Sequence, residues 1–496
     1  MVETKSERSD ERVQLHARSG DGQPVRIVHV TLEGLFGLYK YEIPAGDGAL
    51  GRISILYGEN GLGKTTILKI LFHILSGAGD RGHRTALGRV KFRRVRVELS
   101  NGIYVQASRK SEVLDGAYRL EVIRYGEGEE ELLGAWDWFP EGEAAGATSR
   151  NILMHANPEM LRMISEKSSS KSRHRAIQSV MFDFFERESN PLESEEAFLR
   201  ALRQNVPPLF FLTADRILSA DLVDRDRITS SDFEHRGRMR PEDMLTRGRE
   251  RALNDAIGAA STLLSRLGVE AARQGSTSMQ SIYEDLIQRF SSRESDAQIV
   301  NLPLDELKEK LLSLSDAYDR FFLYGLAPKL RGKALVTLLA RIGLSERKMV
   351  EEILQPYVES LTEQANSLEK AYYVIDILVS TVNSFLHDKR LEFSVGEGLV
   401  VRSKLGDVLE PKDLSSGEQQ LLLLFCHITM AHDSGGIFIV DEPEISLNIR
   451  WQRRLVDSLL KLDSAKNLQF ILASHSMEIL TQHRDSVVTL KELTNE

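Results

Sequence analysis

The chain of 496 residues is 42% hydrophobic and 28% charged, with a formal net charge of −9. A sizeable core is possible, wholesale disorder is excluded, and the length suits two to four domain-sized units. The negative balance argues against a nucleic-acid protein held by bulk charge but leaves a local basic groove open.

Residues 1–22 are polar and charged and lack the apolar core of a signal peptide, so a disordered tail is expected there. The longest apolar runs, LLLLF at 421–425 and IFIV at 437–440, fall far short of a membrane span. With a single cysteine, Cys426, no intrachain disulfide framework can form, and a soluble cytoplasmic protein is expected. Cys426 lies in an apolar helix and reads as a packing residue.

Ordered structure is expected from about Val25. VRIVHVTLEG alternates like a strand and RISILY (52–57) is a second one. Ile67, Leu68, Leu71, Ile74 and Leu75 then recur at helical spacing until Gly77. FRRVRVELSNGIYVQASRK reads as a hairpin about Asn101-Gly102, the preferred type I′ pair. From about 150 to 390 the pattern is mostly helical, interrupted by the buried strand in PPLFFLTADR (207–216). The charged stretch 219–251 reads as a loop. A near-heptad from Val350 to Leu386 predicts a helix of roughly 55 Å packed in a bundle, kinked near its start by Pro356. GIFIVDEP (436–443) and LQFILASHS (468–476) read as strands covered on both faces. The helix between them carries Leu447, Trp451, Leu455 and Leu459 on one face.

These elements divide the chain into a tail (1–22), the N-terminal half of a head (23–150), a helical insertion (151–388) interrupted by the core strand 208–214, and the C-terminal half of the head (389–496).

Gly58-Glu59-Asn60-Gly61-Leu62-Gly63-Lys64-Thr65 fits G-x-x-x-x-G-K-[ST]. It follows an apolar strand and opens an apolar-faced helix, as a phosphate cradle requires. Gly58, Gly61 and Gly63 allow the tight turn that converges backbone N–H groups on phosphate, with Asn60 and Thr66 in the same loop and helix start. Lys64 is expected to reach the β- and γ-phosphates of ATP, and Thr65 to offer its hydroxyl to Mg²⁺. Asp441, at the end of a buried strand, is placed to hold the Mg²⁺ shell, and Glu442 to orient or deprotonate water. His475, at another strand end, is open to two readings: a hydrogen bond to the γ-phosphate, or a neighbour of the helix-capping serines Ser474 and Ser476. In LSSGEQQLLLLF (414–425), Ser415 or Ser416 with Glu418 has the look of a helix cap.

The order of phosphate loop, LSSGEQQ, IFIVDEPE and ASHS resembles the ATP-binding cassette class of P-loop ATPases. Within that class it looks like the overcoming-lysogenization-defect (AAA_21) group and the ATPase subunits of anti-phage systems such as Septu, PARIS and some retrons. RecF and SMC proteins are more distant kin. The resemblance covers roughly 25–125 and 390–490. It implies an α/β fold: an ABC-type ATPase head of mixed sheet with a parallel core and an N-terminal antiparallel subsheet, carrying the large helical insertion. It implies a head-to-tail dimer, or a higher oligomer, in which Ser415, Gly417 and Glu418 of one copy close on the γ-phosphate held by Lys64 of the other. Glu442 would be the catalytic base, His475 the γ-phosphate sensor, and Ser446-Leu447-Asn448 the cross-dimer loop.

Two departures from the class pattern stand out. Asp215-Arg216 occupies the place of a glutamine loop, and Asn448 the place where relatives often carry histidine. Phe36, Tyr39 and Tyr41 are candidate adenine-stacking aromatics. The resemblance implies an ATP-gated defence switch with a separate effector chain, a nuclease or toxin; only 21 residues follow His475, too few for a fused nuclease. The alternative is a RecF- or SMC-like ATPase that binds DNA through Arg81–Arg96 or the arginines of 216–251. A transporter motor suits the large insertion poorly, and no membrane partner is expected.

Overall fold

The computed structural model describes residues 24–46, 48–79, 82–109, 114–126, 130–140, 192–214, 218–220, 250–274, 302–343, 345–432 and 434–490. The expected tail, most of the charged stretch 219–251 and Asp215-Arg216 lie outside these. The chain forms two compact units. The first comprises 1–234, 433–453 and 467–496, and the second 235–432 and 454–466.

The first unit is built on two six-stranded sheets. The antiparallel sheet takes β1 (Ile27–Leu35), β2 (Tyr39–Ile43), β4 (Arg94–Leu99), β5 (Ile103–Ser108), β6 (Tyr118–Tyr125) and β7 (Glu130–Trp138), in the order β2-β1-β4-β5-β6-β7. The other takes β3 (Ile53–Tyr57), β8 (Leu209–Leu212), β9 (Leu218–Ala220), β13 (Gly436–Asp441), β14 (Leu468–Ala473) and β15 (Val487–Thr489), in the order β15-β3-β14-β13-β8-β9. It is parallel except at β9. Every residue of β8, β13 and β14 is buried, which explains their continuous apolar runs: both faces of a parallel sheet must be covered. This is the mixed α/β architecture expected of the head.

The helix Lys64–Leu75 buries eight of its residues, so it is apolar nearly all round rather than striped. Its side chains join one core with Val30, Leu32, Val95, Val97 and Val105 of the antiparallel sheet and Ile437, Ile439 and Ile471 of the parallel one. Gln469 ties the sheets together in the middle of this apolar layer. It accepts from the Ile27 amide at 2.8 Å and donates to the carbonyls of Ile27 at 2.8 Å and Gly51 at 3.0 Å.

The β4–β5 hairpin is present, but only Gly102 of the expected type I′ pair enters the left-handed region, at φ +75°. The Gly102 amide donates to Leu99 carbonyl oxygen at 3.2 Å. The connection is a three-residue loop in which an ordinary turn at Ser100-Asn101 is followed by a left-handed glycine.

The second unit contains helices over 250–274, Leu304–Leu323, Gly332–Leu339, Arg347–Asn383 and Ser416–Met430, the end of Ile449–Leu462, and a small sheet of β10 (Lys389–Ser394), β11 (Gly398–Ser403) and β12 (Val408–Leu409). The long near-heptad is one helix of 37 residues running through Pro356. It packs along Leu304–Leu323 rather than projecting. Tyr318 donates to Gln364 at 2.6 Å, Tyr324 to Asp376 at 2.8 Å, and the Phe321 and Tyr372 rings lie 5.7 Å apart. These pairs ascend together in sequence, so the two helices run parallel, which the intervening helix Gly332–Leu339 permits.

Among the described residues, no helix is long and apolar enough to cross a membrane.

Candidate functional site

The parallel sheet's register builds the site. Leu56, Ala473 and Asp441 form one row across β3, β14 and β13. The chain therefore leaves all three strands at the same edge, into Gly58, Ser474-His475 and Glu442 respectively. Crevices outside the C-terminal ends of parallel strands are where such sheets bind ligands.

From β3 the chain enters the glycine loop. Gly61 and Gly63 adopt φ of +91° and +82°, conformations that L side chains rarely take. A Cβ on Gly63 would also stand 2.9 Å from Phe36 Cε2 and 3.2 Å from Leu35 Cδ2. Gly63 is the N-cap of the helix Lys64–Leu75 without any side-chain cap, and no acidic residue occupies the first turn. The amides of Lys64, Thr65 and Thr66 open this helix, and the first backbone bond runs from Ile67 to the Gly63 carbonyl at 2.8 Å. An uncapped helix start at the end of a glycine loop is suited to an anion.

Lys64 folds over this loop, its Nζ donating to the carbonyls of Gly58 at 2.8 Å and Glu59 at 3.0 Å. Burial lowers its pKa below the usual lysine value, while Glu442, Asp441 and Glu444 pull it back up. The charged end of Lys64 thus shares its surroundings with three carboxylates. Thr65 donates its hydroxyl to Asp441 Oδ1 at 3.1 Å. Burial raises Asp441 above the usual carboxylate range, the Thr65 hydrogen bond opposes this, and Glu442 adds to it. No group of three or more metal-ligating side chains occurs among the described residues. A hydroxyl and one carboxylate form an oxygen-only pair that fits Mg²⁺, which commonly takes one or two protein oxygens and completes its shell with water and phosphate.

Glu442 has φ +48°, and its amide donates to the Ala473 carbonyl at 2.9 Å. A left-handed non-glycine residue just past a buried strand is a local cost sustained by its surroundings. His475 and Ser476 both donate backbone N–H groups to Glu444 Oε1, at 2.7 and 3.1 Å. Ser476 caps the helix Met477–Gln482 by accepting from Ile479 at 3.4 Å, so the capping serine is real and His475 is the residue immediately before it. Gln452 accepts from Ser476 Oγ at 2.7 Å and donates to the Leu447 carbonyl at 2.9 Å. Asn448 accepts from the Trp451 amide at 3.0 Å, acting as an N-cap for the helix that follows.

The aromatics separate cleanly. Tyr41 is fully buried and donates its hydroxyl to the Leu62 carbonyl at 3.0 Å, bracing the glycine loop from beneath. Its ring stacks on Tyr39 at 5.7 Å. Phe36 is 39% exposed, adopts φ +57°, and lies against Gly63. Tyr41 is thus core, whereas Phe36 has an open edge beside the loop.

The LSSGEQQ segment belongs to the second unit. Ser415 is exposed and caps the helix Ser416–Met430 in a capping box: its amide donates to Glu418 Oε2 at 2.6 Å, and the Glu418 amide to its Oγ at 3.4 Å. Gly417 is buried within the first turn. Lys389 Nζ sits 2.8 Å from Glu418 Oε2 and donates to the Asp413 carbonyl at 3.1 Å. Burial opposes ionisation of Glu418, but Lys389 and the Ser415 amide outweigh it and hold the pKa below the usual value. The Glu418 carboxylate is thus turned back onto its own helix start.

Sequence reasoning assigned no role to Glu444, Gln452 or Lys389. Glu444 stood in DEPE, and its signal was a carboxylate following a strand end in a chain with two capping serines at the next one. Of the basic stretch Arg81–Arg96, two members serve the fold: Arg84 is buried and donates to the carbonyls of His73 and Ser76, and Arg96 pairs with Glu98 at 3.2 Å and lies 3.7 Å from the Tyr104 ring centre. Arg89, Lys91, Arg93 and Arg94 are exposed.

Residues 266–481 match the AAA_21 family, described as "AAA domain, putative AbiEii toxin, Type IV TA system". A Clostridium acetobutylicum protein named "Putative ABC transporter ATP-binding protein" is 25% identical over 147 residues, 29% of this chain. The match spans about half that relative's length, 49%. Two solved structures align at 12% identity. One is the Smc head domain with an extended coiled coil bound to the C-terminal domain of ScpA, from Pyrococcus furiosus, with a TM-score of 0.35 over 95% of this chain and 96% of that one. The other is the SmcHead bound to the C-winged helix domain of ScpA, with a TM-score of 0.32 over 95% and 98%. Likenesses this distant carry no functional weight.

Proposed function

We propose that the protein is a Mg²⁺-dependent ABC-type ATPase acting as a nucleotide-gated dimeric switch. The observation that carries this reading is the meeting of Lys64, Thr65 and Asp441 at one sheet edge, with Glu442 and His475 leaving the adjoining strands beside them.

In this reading the open amides at the start of the helix Lys64–Leu75 receive the phosphates. Lys64 exchanges its two loop carbonyls for phosphate oxygens. Thr65 and Asp441 would hold Mg²⁺, which supplies charge neutralisation at the phosphates when bound. Glu442 takes a proton from the attacking water, and His475 contacts the terminal phosphate. Ser415 and Gly417 of a second copy close the pocket, their helix start presenting amides as the glycine loop does. The open edge of Phe36 is the stacking candidate for adenine.

The AAA_21 description, with its reference to a toxin–antitoxin system, supports a role in defence, to which our proposal adds a separate effector chain. A DNA-binding repair role would fall to the exposed Arg89, Lys91, Arg93 and Arg94, since Arg84 and Arg96 are already committed inside the fold.

The test is gel filtration of Glu442→Gln with and without ATP and Mg²⁺. A dimer accumulating only with ATP, together with loss of hydrolysis, supports the reading. A monomer under all conditions, or normal turnover, would defeat it.

A further inference from the structure

Glu444 makes an uneven set of contacts. Oε1 accepts two backbone N–H groups, from His475 and Ser476, while Oε2 is buried with no hydrogen-bond partner. Buried carboxylate oxygens are normally paired, and an idle one is a cost that calls for explanation. Capping the Ser476 amide does not need it: Ser474 Oγ already accepts from Ser476 at 3.1 Å, and neutral side chains cap helix starts well.

What Glu444 does that a neutral cap at Ser474 could not is join two strand ends. It belongs to the turn after β13, where Glu442 and Ser446 both take positive φ, +48° and +66°. Its partners belong to the turn after β14. Gln452 doubles the link, reaching the Glu444 carbonyl at 3.4 Å, the Leu447 carbonyl and the Ser476 hydroxyl. The base candidate, the cross-dimer loop and the histidine segment are thereby held as one piece. The carboxylate also acts electrostatically on Lys64 and Asp441, so it lies within the field of the phosphate site.

We propose that Glu444 is a positioning residue that couples the Glu442 turn to His475, so that one movement sets both. The inference rests on the ATPase reading. A residue with this task acts on the rate of the chemical step and not on nucleotide capture, and it acts through His475.

The experiment measures ATP turnover and equilibrium ATP binding for the wild type, E444A, E444Q, H475A and the double variant E444A/H475A, with thermal unfolding as a control. E444A is expected to lower kcat about 10- to 100-fold while ATP affinity stays within about 3-fold. E444Q keeps a carbonyl oxygen for the two amides and is expected to recover most of the rate. In the H475A background, E444A is expected to cost no more than about 2-fold further. If E444A does not fold, E444D carries the same expectations, because its carboxylate is retracted from the amides. Multiplicative losses in the double variant, loss of affinity equal to the loss of rate, or a kcat within about 2-fold of wild type would overturn the coupling. Absence of turnover in the wild type would overturn the ATPase reading itself.

Discussion

Thr65 and Asp441 stand 376 positions apart in the chain, yet the hydroxyl of one donates to the carboxylate of the other at 3.1 Å. Neither is unusual alone, a threonine in a helix's first turn and an aspartate at a strand end. In the proposed reading their pairing gives Mg²⁺ its two protein oxygens. Asp441→Asn is expected to lower Mg²⁺-supported hydrolysis at least about 100-fold, while ATP binding measured in a metal chelator stays near wild type. Equal loss in both assays would show that Asp441 supports the glycine loop and not a metal.

Gly63 meets two constraints at once, a left-handed backbone and the ring edge of Phe36. Gly63→Ala is expected to cost roughly 1–2 kcal/mol from the backbone conformation alone and to abolish nucleotide binding. Phe36→Leu added to it relieves the collision but not the backbone term. Recovery of binding by that second change would show the ring contact to be the dominant constraint.

Lys389 anchors Glu418, which in turn caps the helix Ser416–Met430. Lys389→Met is expected to destabilise the second unit by about 1 kcal/mol, since the pair is only partly shielded from water. Its larger effect should fall on ATP-driven dimerisation, read by gel filtration or light scattering, with ATP binding to the Lys64 site unchanged. Dimerisation at the wild-type ATP concentration would separate this cap from the interface.

Burial lowers His73 and His427 from the ordinary 6.5 to about 4. The unfolded chain binds their protons first, so stability is whole above about pH 6.5 and falls as the pH drops from there toward 4. Each contributes on the order of 3 kcal/mol across that window. Urea unfolding at a series of pH values tests this, and His427→Phe should flatten the dependence. A slope unchanged by that substitution would mean that other groups carry it.

Cys426 is fully buried, and burial pushes its thiol up to about 12. It should resist thiol reagents at pH 8 in the folded protein and react with one equivalent in denaturant. Reaction of the native protein at the denatured rate would mean that the helix Ser416–Met430 opens readily.

The local parts of the candidate site are legible in the sequence: the glycine loop and the strands ending in Asp441 and Ala473 each span a few residues with a strict spacing, as does the Ser415–Glu418 box of the second unit. The unforeseen contacts join distant segments. Nothing near Glu444 shows that its donors lie 31 residues on, and Lys389 meets Glu418 across 29 residues. The turn at Asn101-Gly102 was misread for a local reason: the dipeptide suits two hairpin loops of different length, and the register of β4 on β5 decides between them. Pattern alone places the arginines near residue 90 on a strand, but does not distinguish Arg96, engaged with Glu98 and Tyr104, from exposed Arg94.

The amide of Gln469 has a wider consequence than joining two sheets. It fastens β1 to the strand that leads to His475. Removing the segment up to Ile27, or displacing it by a bulky fusion, would strand that amide in a dry interior and loosen β14 from behind. Tension on the residues just before β1 is therefore carried to the end of β14 opposite the one that leads to His475.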